Sequence, residues 1–154
     1  MNSRINRYII RVYALILNSN EEILISDEFQ LGMRMTKFPG GGMHFGEGAI
    51  DCIKREAIEE FGQEIEVLDH FYTTDYFQPT QFYNDAQLVS IYYFAKFIDT
   101  IRFKVSGKPF DYEKEKNGAQ SFRWVKLDEL KIEEMTFPVD KKVVNLLKEK
   151  YCND

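Results

Sequence analysis

The chain has 154 residues, a length suited to one compact domain spanning 1–154. Apolar residues make up 44% of it and charged residues 29%, the balance of a soluble protein with a hydrophobic core. The formal net charge is −5 and no basic stripe stands out, which argues against a nucleic-acid polymer as partner.

An acidic protein can still hold a phosphorylated small molecule if divalent cations bridge the like charges. Cys52 and Cys152 lie far apart with no metal-ligand spacing, so neither a zinc site nor a disulfide framework is indicated. The start, Met1 to Arg7, is polar and lacks the apolar run of a signal peptide. No stretch approaches the roughly 20 apolar residues of a membrane span. The expectation is a cytoplasmic protein with reduced thiols and no membrane partner.

In chain order, Tyr8 to Leu17 reads as a strand, Asn18-Ser19-Asn20 as a turn and Glu22 to Ser26 as the return strand of a hairpin. Residues 27 to 37 read as a polar loop carrying Arg34 and Lys37. Phe38-Pro39-Gly40-Gly41-Gly42 cannot be helical, because Pro and three glycines break a helix. Gly48 to Phe61 has helical spacing, with Ile50, Ile53, Ala57, Ile58 and Phe61 expected to face the core and Gly62 at the C-terminal glycine position. Ile65 to Tyr72, Gln87 to Phe97 and Ser121 to Val125 read as strands, and Leu127 to Lys131 as a helical turn. Pro138 precedes a final helix with Asp140 as its cap and Val143, Val144, Leu147 and Tyr151 on its apolar side. Hairpins with two helices argue for an α+β fold, helices packed on a mixed sheet.

Chemistry concentrates in GGGMHFGEGAIDCIKREAIEEFGQ, residues 40–63. Glu56, Glu59 and Glu60 share one helix, where residues three and four apart are neighbours, so their like charges repel. Taken alone, the trio is also compatible with a solvated helix face. Clustered carboxylates suit a hard cation such as Mg2+ or Mn2+. Glu47, in the glycine loop, can join the cluster or support it, and Arg55 can pair with Glu59 or another carboxylate and fix its direction. Glycines let backbone approach a phosphate closely, and a helix N-terminus favours an anion.

This stretch resembles the Nudix box: Gly, five residues, Glu, seven residues, then Arg-Glu-apolar-x-Glu-Glu-x-Gly-apolar. Gly41, Glu47, Arg55, Glu56, Ala57, Glu59, Glu60 and Gly62 occupy those places. Gln63 stands where the box is usually aliphatic, and His44 where many members carry Glu. The resemblance implies a Nudix-type α/β/α sandwich with a mixed β-sheet between helices. It also implies metal-dependent hydrolysis of a diphosphate linkage in a nucleoside diphosphate joined to another group, such as a nucleotide sugar, ADP-ribose or a nucleoside triphosphate.

Mapped by position, Glu56, Glu59, Glu60 and the Gly40 carbonyl are the implied metal ligands, and Glu56 or Glu59 orients or deprotonates the attacking water. Glu113 and Glu115 are the candidates for an accessory base from outside the box. Arg34, Lys37, Phe38 and Gly41 are candidate substrate contacts, although ordinary surface charge also accounts for the first two. The aromatic run Phe71-Tyr72, Tyr76-Phe77, Phe82-Tyr83 fits core filling or a homodimer interface better than nucleobase stacking. The alternative function is a catalytically silent nucleotide-binding domain with a regulatory role.

Overall fold

The structure, a computed structural model, describes residues 4–152. Among them the strands and helices run β1 (Arg7–Ile16), β2 (Glu22–Gln30), β3 (Met33–Lys37), β4 (Gly40–Gly42), α1 (Ala49–Phe61), β5 (Ile65–Thr73), β6 (Ala86–Phe97), β7 (Ala119–Lys126) and α2 (Pro138–Tyr151). The α+β class is as the sequence implies. The strands, however, divide between a four-stranded sheet ordered β4-β1-β6-β5 and a three-stranded sheet ordered β3-β2-β7, where a single sheet was expected. The chain forms two compact units, one running to Ala14 and resuming over Gly40–Thr100, the other made of Leu15–Pro39 and the chain from Ile101 onward.

In the first unit, β1 pairs antiparallel with β4, setting Val12 opposite Gly41 and Tyr13 opposite Gly40. The buried Tyr13 and Tyr92 rings stack with centroids 5.1 Å apart. Helix α1 buries Cys52, Ile53, Ala57 and Phe61, and the Phe61 ring meets Phe97 edge-on at 5.1 Å. Ile50 and Ile58 do not face the core as expected; they are 45% and 48% exposed. The buried sector is rotated toward Cys52 and Glu56, an i,i+4 pair, because that edge lies against β4: the Cys52 thiol approaches the Gly41 carbonyl at 3.8 Å. Gly62 ends the helix at φ 67°, its N–H donating to the Ile58 carbonyl. The aromatic run divides. Tyr72 is buried, whereas Tyr76, Phe77, Phe82 and Tyr83 are exposed.

In the second unit, the expected β1–β2 hairpin is replaced. Strand β2 pairs with β3 and β7, and at the turn the expected hairpin is limited to the isolated bridge Leu17–Ile23 and the bond from the Asn18 N–H to the Glu22 carbonyl. Asn18 shapes that turn, its Oδ1 accepting from the N–H groups of Asn20 and Glu22. The expected polar loop 27–37 is instead a hairpin. Strand β2 runs on to Gln30 and β3 returns through Leu31 (φ 52°) and Gly32 (φ 74°), the double positive φ of a two-residue type I′ turn. Its charges are matched across the sheet. Arg123 Nε donates to Asp27 Oδ2 at 2.6 Å, and Lys37 Nζ lies 3.1 Å from Glu28 Oε2, both pairs largely buried. The chain then turns at Leu127–Glu129 and makes a single 3-10 turn over Ile132–Glu134. Pro138 is the first residue of α2 rather than its predecessor, which its missing N–H permits. Asp140 lies buried in the first turn, and Phe137 rather than Asp140 holds the N-cap position. Val143, Val144 and Leu147 are buried as expected, but Tyr151 is 49% exposed.

Candidate active site

The site is assembled in the first unit from β4, the loop after it and α1. Strand β4 consists of three glycines, and two of them are obligatory. Gly40 has φ 150°, and a Cβ there would strike the Val12 carbonyl and sit 2.8 Å from Tyr13 Cα. Gly41 has ordinary φ, but a Cβ there would overlap the Glu56 carboxylate. Glu56 therefore rests directly on the β4 backbone, in a space kept open by the missing side chain. The loop 43–48 leads into α1 through two local hydrogen bonds. The His44 N–H donates to Glu47 Oε1 at 2.8 Å, and the Gly48 N–H donates to Asp51 Oδ2 at 3.2 Å.

Arg55 organises the charges. Its Nε donates to Glu47 Oε2 at 3.0 Å and its Nη2 to Glu47 Oε1 at 2.7 Å, a bidentate fork. Nη1 donates to Glu56 Oε2 at 2.7 Å and to Glu59 Oε2 at 3.1 Å, and Nη2 also reaches the Gly42 carbonyl at 2.9 Å. A guanidinium has five N–H donors, and these five bonds use that capacity. Hydrogen bonds from Arg55, and then from the His44 N–H, lower the Glu47 pKa to about 2. Its carboxylates in turn raise the Arg55 pKa, led by the hydrogen bond to Glu47. Burial, and then the nearby Glu47 charge, pushes the Cys52 thiol up to about 12, so it is a neutral packing group beneath the loop.

One guanidinium thus serves three carboxylates. The donors fit a hard divalent cation in kind, being carboxylates with a backbone carbonyl nearby. As they stand they do not converge: among the described residues, no three His, Cys, Asp or Glu side chains are grouped to hold a metal. Arg55 holds one oxygen each of Glu56 and Glu59. The Glu59 side chain is 55% exposed, so its bond to Arg55 is readily exchanged. Glu60 is half-buried on the same helix. The His44 side chain is exposed, and position 44 acts on the site through its backbone.

The other sequence candidates lie in the second unit. Arg34 is exposed and ion-paired with Glu115 at 2.7 Å. The Lys37 ammonium is buried against Glu28 and also donates to the Phe38 carbonyl at 3.3 Å. Phe38 is fully buried. Glu113 is exposed. Sequence reasoning did not foresee that Glu47 is the principal partner of Arg55, nor that Cys52 lies under β4. The eight-residue spacing from Glu47 to Arg55 carried the first signal only once the loop was known to fold back.

A NUDIX domain model matches residues 7–147, nearly the whole chain, and the protein belongs to that family. The fold is that of solved Nudix proteins. A NUDIX hydrolase from Nitrosomonas europaea superposes with a TM-score of 0.68 at 18% identity, covering 92% of this chain and 89% of that one. The E. coli ORF135 protein gives 0.71 at 16% identity over 96% and 94%. The MutT protein from Methanosarcina mazei Go1 gives 0.65 at 19% identity over 97% and 98%. The family generally uses divalent metal ions. No helix among the described residues is long and apolar enough to cross a membrane.

Proposed function

We propose that the protein hydrolyses a diphosphate linkage in a small nucleotide-like molecule, with Mg2+ or Mn2+ as cofactor. The observation that carries this reading is the Glu56 carboxylate seated on Gly41 and held there by Arg55. A helix that crowds Glu56, Glu59 and Glu60 together is under like-charge repulsion, which a divalent cation would relieve. A bound divalent cation would neutralise diphosphate oxygens and lower the pKa of water. Glu56, Glu59, Glu60 and the Gly40 carbonyl are the groups that would hold it. Glu56 or Glu59 would orient or deprotonate the attacking water, and Gly41, beneath the Glu56 carboxylate, is the substrate contact proposed in this unit. Arg55 fixes the direction of Glu56, while Glu47 fixes Arg55.

Arg34 is the substrate contact proposed in the second unit. Lys37 and Phe38 would support it from within the core, and Glu113 or Glu115 would serve as accessory base. The exposed Tyr76, Phe77, Phe82 and Tyr83 offer a surface for a homodimer, read by sedimentation, and the cytoplasm is the proposed compartment. Incubating nucleotide sugars, ADP-ribose, dinucleotides and nucleoside triphosphates with the protein and Mg2+ or Mn2+ tests the function. Two phosphorylated products identified by mass are expected from at least one compound.

One observation favours a second reading. Arg55 already holds one oxygen each of Glu56 and Glu59, as suits a silent nucleotide-binding domain with a regulatory role. That reading predicts thermal stabilisation by a nucleotide with no products after long incubation.

A further inference from the structure

Three observations in the second unit meet at Arg34. The first is the clasp itself. Arg34 Nη2 and Nε both donate to Glu115 Oε2, at 2.7 and 3.2 Å, while the guanidinium lies over the Phe110 ring at 4.9 Å. The side chains are 56% and 43% exposed, so this carboxylate is held in competition with solvent anions. A phosphate can meet the same donor fork with two oxygens, where Glu115 meets it with one.

The second observation is how the clasp is built. Phe110 has φ 53°, a left-handed conformation rare for a bulky residue. Its N–H points to Asp27 Oδ2 at 3.4 Å, and Asp27 is fully buried against Arg123 and Thr36. A buried ion pair thus pins the backbone that carries the ring under Arg34. Such strain persists only where its surroundings over-determine it, and here the result is an oriented guanidinium at the surface.

The third observation is an orphaned donor. The Tyr112 hydroxyl oxygen is buried and makes no hydrogen bond. The Tyr112 ring lies 6.4 Å from that of Phe110, under Arg34, and burial first, then the charges of Glu115, Arg34 and Asp27, act on the phenol. A hydroxyl left unsatisfied is a standing penalty that an arriving acceptor removes.

We infer that Arg34 is an anion site whose resident counter-ion is Glu115, and that a phosphate or diphosphate group binds by taking Arg34 from Glu115, with the Tyr112 hydroxyl as a further donor. The choice of a phosphate ligand rests on the function proposed above. In this arrangement Glu115 is a built-in competitor. It keeps Arg34 oriented in the absence of ligand and is released when the ligand arrives.

The signature is a carboxylate whose removal improves binding. The test titrates inorganic pyrophosphate into the full chain without divalent metal, at ionic strength fixed with sodium chloride, by calorimetry and phosphorus NMR. Circular dichroism confirms each variant is folded. Glu115→Gln should tighten binding about threefold or more, the scale of an exposed ion pair. Arg34→Ala should weaken it by about tenfold or more, and Tyr112→Phe by about threefold. Arg34→Lys, which keeps the charge and loses the fork, should fall between wild type and Arg34→Ala. Glu129→Gln, the same charge change at another exposed residue of this unit, should leave affinity unchanged. Equal tightening by Glu115→Gln and Glu129→Gln would reduce the effect to bulk charge and overturn the site. So would unaltered affinity in Arg34→Ala, or no binding by either wild type or Glu115→Gln. Because no metal is present, the result is independent of turnover. Diphosphate hydrolysis by a chain whose Arg34 ignores pyrophosphate would overturn this inference and leave the hydrolase reading intact.

Discussion

Adjacent glycines in β4 should respond to the same substitution in opposite ways. At Gly41 the three atoms nearest a new Cβ all belong to the Glu56 carboxylate, with Oε2 at 2.8 Å and Oε1 and Cδ nearer. That group is the far end of a flexible side chain, so it can swing aside. The stability cost of Gly41→Ala should stay near the low end of overpacking, about 1 kcal/mol. For a chain of this size that is roughly 2–4 °C in Tm. The functional cost should be far larger. Glu56 loses its seat and its geometry toward Arg55, and a displacement of about 1 Å in a positioned catalytic group can reduce rate on the order of 100-fold.

At Gly40 the new Cβ meets backbone, the Val12 carbonyl and Tyr13 Cα, at φ 150°. Backbone cannot swing aside. Strain of roughly 1–3 kcal/mol adds to overpacking of similar size, so Gly40→Ala should cost about 3 kcal/mol or more. Urea unfolding of both variants, with turnover measured on the substrate identified by the panel, separates the two effects. Equal destabilisation by both, or full activity in folded Gly41→Ala, would refute the claim that Glu56 is seated on Gly41 to do chemistry.

Acid should probe the Glu47–Arg55 fork. The Glu47 pKa is lowered from 4.5 to about 2 in the folded protein, so its contribution to stability is complete above about pH 4.5 and lost as pH falls toward 2. Wild type should therefore lose Tm more steeply than Glu47→Gln across that window; parallel curves would remove the fork from the stability account. Arg123→Ala leaves the fully buried Asp27 without its cation and should cost about 3–5 kcal/mol in urea unfolding. A change below about 1 kcal/mol would mean the pair is not desolvated as described. Gly62→Ala forces a side chain into φ 67° with open space around it, so strain alone acts, and a loss of about 1 kcal/mol is expected.

What the sequence revealed followed the range of the interactions involved. Helix α1, its terminal glycine and the carboxylates along it depend on neighbours within a few residues, and the text carries those spacings directly. The buried side of α1 was misjudged through Ile50 and Ile58 because apolar spacing alone does not fix which edge meets β4. That edge follows from Gly41 leaving room for Glu56. Strand β3 was hidden because Asp27, Glu28 and Lys37 read as solvated. Their burial depends in part on Arg123, some hundred residues away, and no local pattern announces that partner. Gly32 was the sole local hint of the turn between β2 and β3. The carboxylates of α1 and the glycine loop were legible as candidates, but their arrangement was not. The sequence suggested that Arg55 pairs with a carboxylate; the fold shows it bonded to three and to the Gly42 carbonyl.

The proposed hydrolase places metal-dependent diphosphate chemistry on the carboxylates of α1. Its most direct test is product release from the best panel substrate with Mg2+ or Mn2+, compared between wild type and Glu56→Gln and Glu60→Gln variants whose folding is verified by circular dichroism. Metal-dependent turnover is expected in wild type, with near-complete loss in both variants. Unchanged turnover in the two folded variants would contradict it.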